Sequence, residues 1–243
     1  MAIKMVPGCP ALVFGSPTHL VISDLHLGYE RKLEARGIFV PEQTSALQRK
    51  LEGLAASTKA KRLVVLGDVK DELAGPSPFS VLAVRSFFQR ALRLFDRVEV
   101  VPGNHDGGLE AIVPAGVTVR GVRGLVSKDD GASVGLFHGH AHPSGFVSRC
   151  DVLVTGHQHF TLSRGKVRQG VWLKGTLPSG ERQVIVMPAF NDMLAGSPLG
   201  DATPWNPVMA GLLKGAKVEV FLQDGTLLGT MESLKEILEV EVD

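Results

Sequence analysis

The chain has 243 residues, of which 44% are hydrophobic and 21% charged, with a formal net charge of +1. That composition excludes a disordered chain and supplies enough apolar surface for a packed core. The near-zero charge excludes a global basic field of the kind that coats nucleic acid, although bound cations would add a local positive site that the count misses.

Ala11 to Phe14 and His19 to Ile22 read as two short strands split by a Gly-Ser-Pro turn. Pro41 opens a helix that runs to about Thr58, with Leu47, Leu51, Leu54 and Ala55 on its apolar face. Leu63 to Leu66 is a continuous apolar run, as in a strand covered on both faces. Ser80 to Phe95 forms a second amphipathic helix, with Val81, Val84, Phe88, Ala91, Leu92 and Phe95 inward. Val98 to Val101, Val134 to Phe137 and Val152 to Val154 repeat the buried-strand pattern. Beyond residue 155 the texture changes. Thr161 to Lys174 and Arg182 to Met187 look like antiparallel strands, and Pro188 to Gly211 reads as a long loop. Lys217 to Leu222 and Thr226 to Met231 suggest a hairpin around Asp224-Gly225, and Ser233 to Leu238 a short closing helix. Alternating strands and helices argue an α/β class, and no linker divides residues 1–243 into more than one domain. Cys9 and Cys150 form no CxxC pair or disulfide framework, which fits a reducing, cytoplasmic setting. No signal peptide or membrane span is expected.

Five short fragments follow these apolar runs: Ser23-Asp24-Leu25-His26, Leu66-Gly67-Asp68, Pro102-Gly103-Asn104-His105-Asp106, Phe137-His138-Gly139-His140 and Thr155-Gly156-His157-Gln158-His159. Of the eight histidines, only His19 lies outside them and their extension at His142. In open α/β sheets, ligands bind beyond the carboxyl ends of strands, so five such ends can converge on one crevice. Carboxylate, amide and imidazole donors together suit divalent manganese, iron or zinc, and a carboxylate can bridge two ions.

The series DxH, GD, GNHD, HGH and GHxH, in this order from Asp24 to His159, resembles the calcineurin-like metallophosphoesterases. The resemblance implies a two-sheet β-sandwich flanked by helices, in four layers, with the C-terminal strands supplying the second sheet. It implies two divalent ions, manganese first, with iron, zinc, nickel or cobalt as alternatives. Asp24, His26 and His159 would hold one ion and Asn104, His138 and His157 the other, with Asp68 between them. A hydroxide generated at the ions would attack phosphorus, and His105 would protonate the leaving oxygen. Asp106 would either hold the His105 imidazole or cap the following turn.

Asp-Leu-His-Leu-Gly at residues 24–28, Gly37-Ile38-Phe39-Val40-Pro41, Leu66-Gly67-Asp68-Val69-Lys70 and Met187-Pro188-Ala189-Phe190-Asn191 resemble one microbial branch of this family. Its members are phosphoesterases found near DNA ligases and helicases, so the implied substrate is DNA and the implied partners a repair helicase or ligase. The residue after Val-Lys is usually His in that branch and is Asp71 here. Lys70 and Asp71 read as a solvated pair or cap, with substrate contact by Asp71 as the minority reading. His140 contacts the phosphate, braces a ligand or, equally, is a polar loop residue, and His142 before Pro143 reads as a turn residue. Arg31, with Glu30, Lys32 and Arg36, could meet phosphates, although a solvated helix face is commoner. Trp172 and Trp205 read as core anchors rather than base-stacking platforms. A phosphatase or phosphodiesterase for a small molecule or phosphoprotein, a non-catalytic scaffold, and self-association through C-terminal strands stay open as alternatives.

Overall fold

The computed structural model describes residues 3–73, 75–164, 167–178, 180, 182–199 and 205–234. The first strands in chain order are β1 (Lys4–Met5), β2 (Leu12–Phe14), β3 (His19–Ser23), β4 (Arg62–Leu66), β5 (Arg97–Val101) and β6 (Val117–Val119). Among the described residues they form one sheet in that order, with β3 to β6 parallel. Between them lie helices α1 (Tyr29–Glu34), α2 (Thr44–Thr58) and α3 (Pro78–Leu94).

The later strands are β7 (Leu125–Asp129), β8 (Ala132–Leu136), β9 (Val152–Thr155), β10 (Phe160–Arg164), β11 (Val167–Gly170), β12 (Trp172–Thr176), β13 (Gln183–Val186), β14 (Ser197–Pro198), β15 (Lys217–Phe221) and β16 (Leu227–Thr230). A short helix α4 (Pro207–Leu212) precedes the last two. The second large sheet has the order β16-β15-β12-β13-β9-β8-β7, and β11-β10-β14 form a small separate sheet.

Alternation along the strands explains the layers. Val64 and Leu66 of β4 meet Val134, Leu136, Val152 and Val154 of the second sheet, with fully buried Trp172, in the core between the sheets. Leu63 and Val65 face the other way, onto Leu47, Leu51 and Leu54 of α2 and Val84, Phe87 and Phe88 of α3. A strand covered on both faces has no solvent side, which is why it reads as an unbroken apolar run. The outer face of the second sheet buries Leu173, Val184 and Val220 under Val208 and Met209 of α4. Two sheets between helical layers make the expected α/β sandwich. No helix among the described residues is long and apolar enough to cross a membrane.

Several local expectations change. Residues 188–211 are not one long loop: β14 and the start of α4 lie in them, and Asn206 caps α4 by accepting from Met209 N at 2.9 Å. Pro41 lies outside α2, whose first N–H groups are taken by Glu42, at 2.5 Å from Thr44 N and 3.2 Å from Ser45 N. α3 begins at Pro78, with Ser77 Oγ accepting from Ser80 N. The stretch Thr161 to Lys174 divides between two sheets, because Val171 turns the chain out of the small sheet. β6 and β7 carry no continuous apolar run, so no local pattern marks them as strands. Residues 231–234 are helical, and the rest of the expected closing helix lies outside the described residues.

Candidate metal centre

The loops that follow β3, β4, β5, β8 and β9 converge. Asp24, His26 and His159 bring one ligand atom each within 4.8 Å of one another, and so do Asp68, His138 and His157. His26, Asp71 and His105 form a third such group that shares His26. Asp24, His26, Asp68 and His157 all have positive φ, between 42° and 67°. Left-handed backbone at four candidate ligands is strain held by the surrounding packing, a common feature of functional sites.

Asp68 stands between the two groups. Its Oδ1 accepts from His105 N at 3.0 Å, while its Oδ2 lies 3.5 Å from His26 Nε2 and 3.3 Å from His138 Nε2. The two imidazoles are turned by what their other nitrogens meet. His26 Nδ1 donates to Asp71 Oδ1 at 2.9 Å, and His138 Nδ1 donates to the Leu66 carbonyl at 2.8 Å. Each therefore presents Nε2 to the centre. Asp24 Oδ2 accepts from His157 N at 3.1 Å and lies 2.5 Å from Ser23 Oγ.

Among the described residues, Asp24 Oδ1, His26 Nε2 and His138 Nε2 are buried without a hydrogen-bond partner. Buried polar atoms are costly when unpaired, and carboxylate oxygens with imidazole nitrogens are the donor set that divalent cations take. The residues fit a metal centre on that ground.

The electrostatics agree. Burial pulls the His26 pKa down, but the neighbouring carboxylates of Asp68, Asp71 and Asp24 outweigh it, pushing it up to about 9. His138 is likewise pushed up to about 9, burial being outweighed by Asp68 and Asp24. Asp68 is held well below the usual carboxylate range by these two histidines despite its burial. His157 is pushed down to about 4 by burial and by His138. Burial lowers His159 and His140 too.

Glycines make room for this crowding. A Cβ on Gly67 would come 2.5 Å from the His138 ring, and one on Gly156 would come 2.5 Å from Asp24 Oδ2. Gly67 also has φ +70°, which side chains rarely adopt.

The other sequence candidates separate. His105 Nδ1 donates to the Asp71 carbonyl at 2.5 Å, and its ring lies edge-on 4.9 Å from His26. Asn104 stands exposed in the same loop. Asp106 does not hold His105. Its oxygens accept from Val69 N at 2.9 Å, Lys70 N at 3.4 Å and Gly103 N at 2.8 Å, so it ties two loops together. Lys70 and Asp71 are no solvated pair: Lys70 is fully buried with Nζ on the Glu72 carbonyl, and Asp71 grips His26, with Lys32 Nζ 3.7 Å from its other oxygen. His140 is half-buried, its ring 5.3 Å from His138. His142 is exposed. Arg31 pairs with Glu34 at 2.7 Å and lies over the Phe79 ring, on the solvated helix face.

Sequence reasoning missed two supports. Ser23 contacts Asp24, and the only signal was its place in the first fragment. Asn191 is buried, donates from Nδ2 to Leu25 O at 2.9 Å and receives Met193 N, which holds the loop of Asp24. In the sequence, Asn191 is marked only by the family resemblance of residues 187–191.

A family model described as calcineurin-like phosphoesterase matches residues 18–161, more than half of the chain. Among solved structures, the crystal structure of Pseudomonas putida nuclease MPE has a TM-score of 0.57 at 19% identity, covering 92% of this chain and 98% of that one. Yfce, a phosphoesterase from E. coli, has a TM-score of 0.40 at 16% identity, covering 87% and 97%. No curated protein matches.

Proposed function

From the premise that the chain belongs to the calcineurin-like phosphoesterases, and is thus a metal-dependent phosphoester hydrolase, we propose that it is a two-metal phosphodiesterase that cuts DNA strands. The observation that carries the two-metal reading is the Asp68 carboxylate, whose Oδ2 lies between His26 Nε2 and His138 Nε2 while Oδ1 is tied to His105 N. Asp24, His26 and His159 would hold one ion, and Asn104, His138 and His157 the other. Such a mixed nitrogen and oxygen donor set suits manganese, iron or zinc, and the family resemblance puts manganese first. When bound, two ions supply Lewis acidity and make water a nucleophile near neutral pH.

The chain's own residues do the rest. The Asp71 carbonyl accepts the Nδ1 proton of His105, which leaves Nε2 to hold the proton that the leaving oxygen requires. Asp71 and the Leu66 carbonyl fix the tautomers of His26 and His138. Asp106 holds the turn that carries Asn104 and His105 against the Asp68 loop.

The DNA assignment is supported by the motif resemblance at residues 37–41, 66–70 and 187–191, and agrees with the nuclease that shares the fold. A cavity of about 360 Å³ beside His159, lined by Arg168, Gln169, Asp192 and Gln223, favours a second reading. Its size and mixed charge suit a small phosphoester. The test is purified protein with Mn²⁺ on single-stranded DNA, duplex DNA, RNA and aryl phosphate mono- and diesters. Cleavage of DNA is expected, and monoester hydrolysis without nuclease activity would overturn the DNA assignment.

A further inference from the structure

A second cluster of charge lies at the opposite end of the first sheet. His19, Arg62 and Arg97 are the first residues of β3, β4 and β5, whereas the metal-centre loops follow the last residues of the same strands. Five residues of strand separate the two ends, about 15 Å. With Arg120 and Ser127 these residues line a cavity of about 340 Å³.

Its charge is unbalanced. Among the described residues, Glu99 is the one carboxylate on the lining, against three guanidiniums. It is buried, with its side chain 7% exposed, and holds two arginines at once. Arg120 donates from Nε and Nη2 to Glu99 Oε1, and Arg97 Nε lies 3.1 Å from Oε2. That arrangement fixes the two planes and leaves Arg120 Nη1 and both terminal nitrogens of Arg97 uncommitted among the described residues. Arg62 has no ion-pair partner among the described residues, and its charge faces His19. Three guanidiniums against one carboxylate leave the cavity with an excess of positive charge that an anion would offset. Guanidinium forks held in place by a buried acid, beside the hydroxyl of Ser127, are the donor geometry that phosphate oxygens take.

We propose that this cavity, between Arg62, Arg97 and Arg120, is a second binding site that takes a phosphate group. It is independent of the metal centre. The phosphate could be a free anion or the terminal phosphate of a nucleic-acid strand, and the test separates these sources.

The experiment is calorimetric titration of pyrophosphate, and separately of a short oligonucleotide with and without a 5′-phosphate, into the full chain after dialysis against a chelator. Saturable binding at one site per chain is expected. Arg62→Ala should weaken it about tenfold or more, the scale of a charge-assisted hydrogen bond. Arg62→Gln keeps much of the stem and removes the charge, so a folding defect in the alanine variant leaves the test intact. Asp68→Asn, at the other end of the sheet, should bind pyrophosphate as the unaltered chain does. Tighter binding of the phosphorylated oligonucleotide than of pyrophosphate assigns a strand end, and equal binding assigns a free anion. Absence of saturable binding, unchanged affinity in both Arg62 variants, or loss of binding in Asp68→Asn would each overturn the proposal.

Discussion

Gly156→Ala tests whether close packing behind the metal centre sets its geometry. Gly156 is not among the positive-φ glycines, so alanine meets no backbone penalty there and the substitution probes space alone. The new methyl would sit 2.8 Å from Ser23 Cβ and 2.5 Å from Asp24 Oδ2, and closer still to Ser23 Oγ. Ordinary contact is about 3.5 Å or more. Rotating Ser23 cannot clear its own Cβ, so the Asp24 carboxylate or the His157 turn must move by roughly 1 Å. Overpacking of this kind costs about 1–3 kcal/mol of stability. The displacement exceeds the ~0.5 Å tolerance of a ligand set, and disturbed support for ligands typically lowers metal affinity about 10- to 100-fold. The assay is Mn²⁺ titration calorimetry with thermal unfolding in chelator. Gly53→Ala, which meets nothing within 4 Å, serves as control and should gain up to about 1 kcal/mol as a helical position. Adding Ser23→Gly to Gly156→Ala should recover part of the affinity. Wild-type metal affinity and stability in Gly156→Ala would refute the reasoning.

Asp71→Ala should lower affinity for the first ion about 10- to 100-fold by freeing His26 Nδ1, with Asp71→Asn intermediate; equal affinities in titration would count against the tautomer argument. His105→Ala should keep both ions by elemental analysis and lose about 10²- to 10⁴-fold in kcat on substrates with poor leaving groups, with far less loss on activated aryl esters. Uniform loss on both would remove it as the acid. Asp68→Ala should bind neither ion, and full occupancy would show that the bridge is misassigned. His26 and His138, raised to about 9 in the metal-free chain, must shed protons to bind cations. Metal affinity should therefore climb with pH by up to about tenfold per unit per site until about 9 and then level off. The sign reverses for metal-free stability: these pairings stabilise fully below the ordinary histidine value near 6.5 and lose that contribution as pH rises through about 9. Chemical denaturation across that range, with and without Mn²⁺, checks both.

Much of the site was legible because buried strands announce their own ends. Leu63–Leu66 and Val152–Val154 are apolar on both faces, so the first Asp, Gly or His after them marks a strand end. Asp24, His26, Asp68, His138, His157 and His159 were readable for that reason, and the structure gathers them. Asp106 and Asp71 were not, because both are carboxylates in polar loops and their roles depend on which backbone N–H or ring nitrogen another loop presents. Lys70 looks solvated by type, yet the fold buries it with its Nζ on the Glu72 carbonyl. α4 was hidden among prolines, although Pro207 sits at a first helical turn, where its missing N–H costs nothing.

By itself, the sequence determined the donor inventory, the strand ends that carry it and the family those residues resemble. These are local properties: residue type, apolar periodicity and the turns that glycine permits. Only the tertiary structure decided which donors face one another. It placed Asp68 between His26 and His138, gave His26 to Asp71 rather than to solvent, turned Asp106 into a clasp between loops, and paired Arg97 and Arg120 with Glu99 beside Arg62 at the far end of the sheet. The physical reason is distance. Most of these contacts join residues more than twenty positions apart, and angstrom-scale geometry between loops follows from how the two sheets pack, which no local pattern encodes.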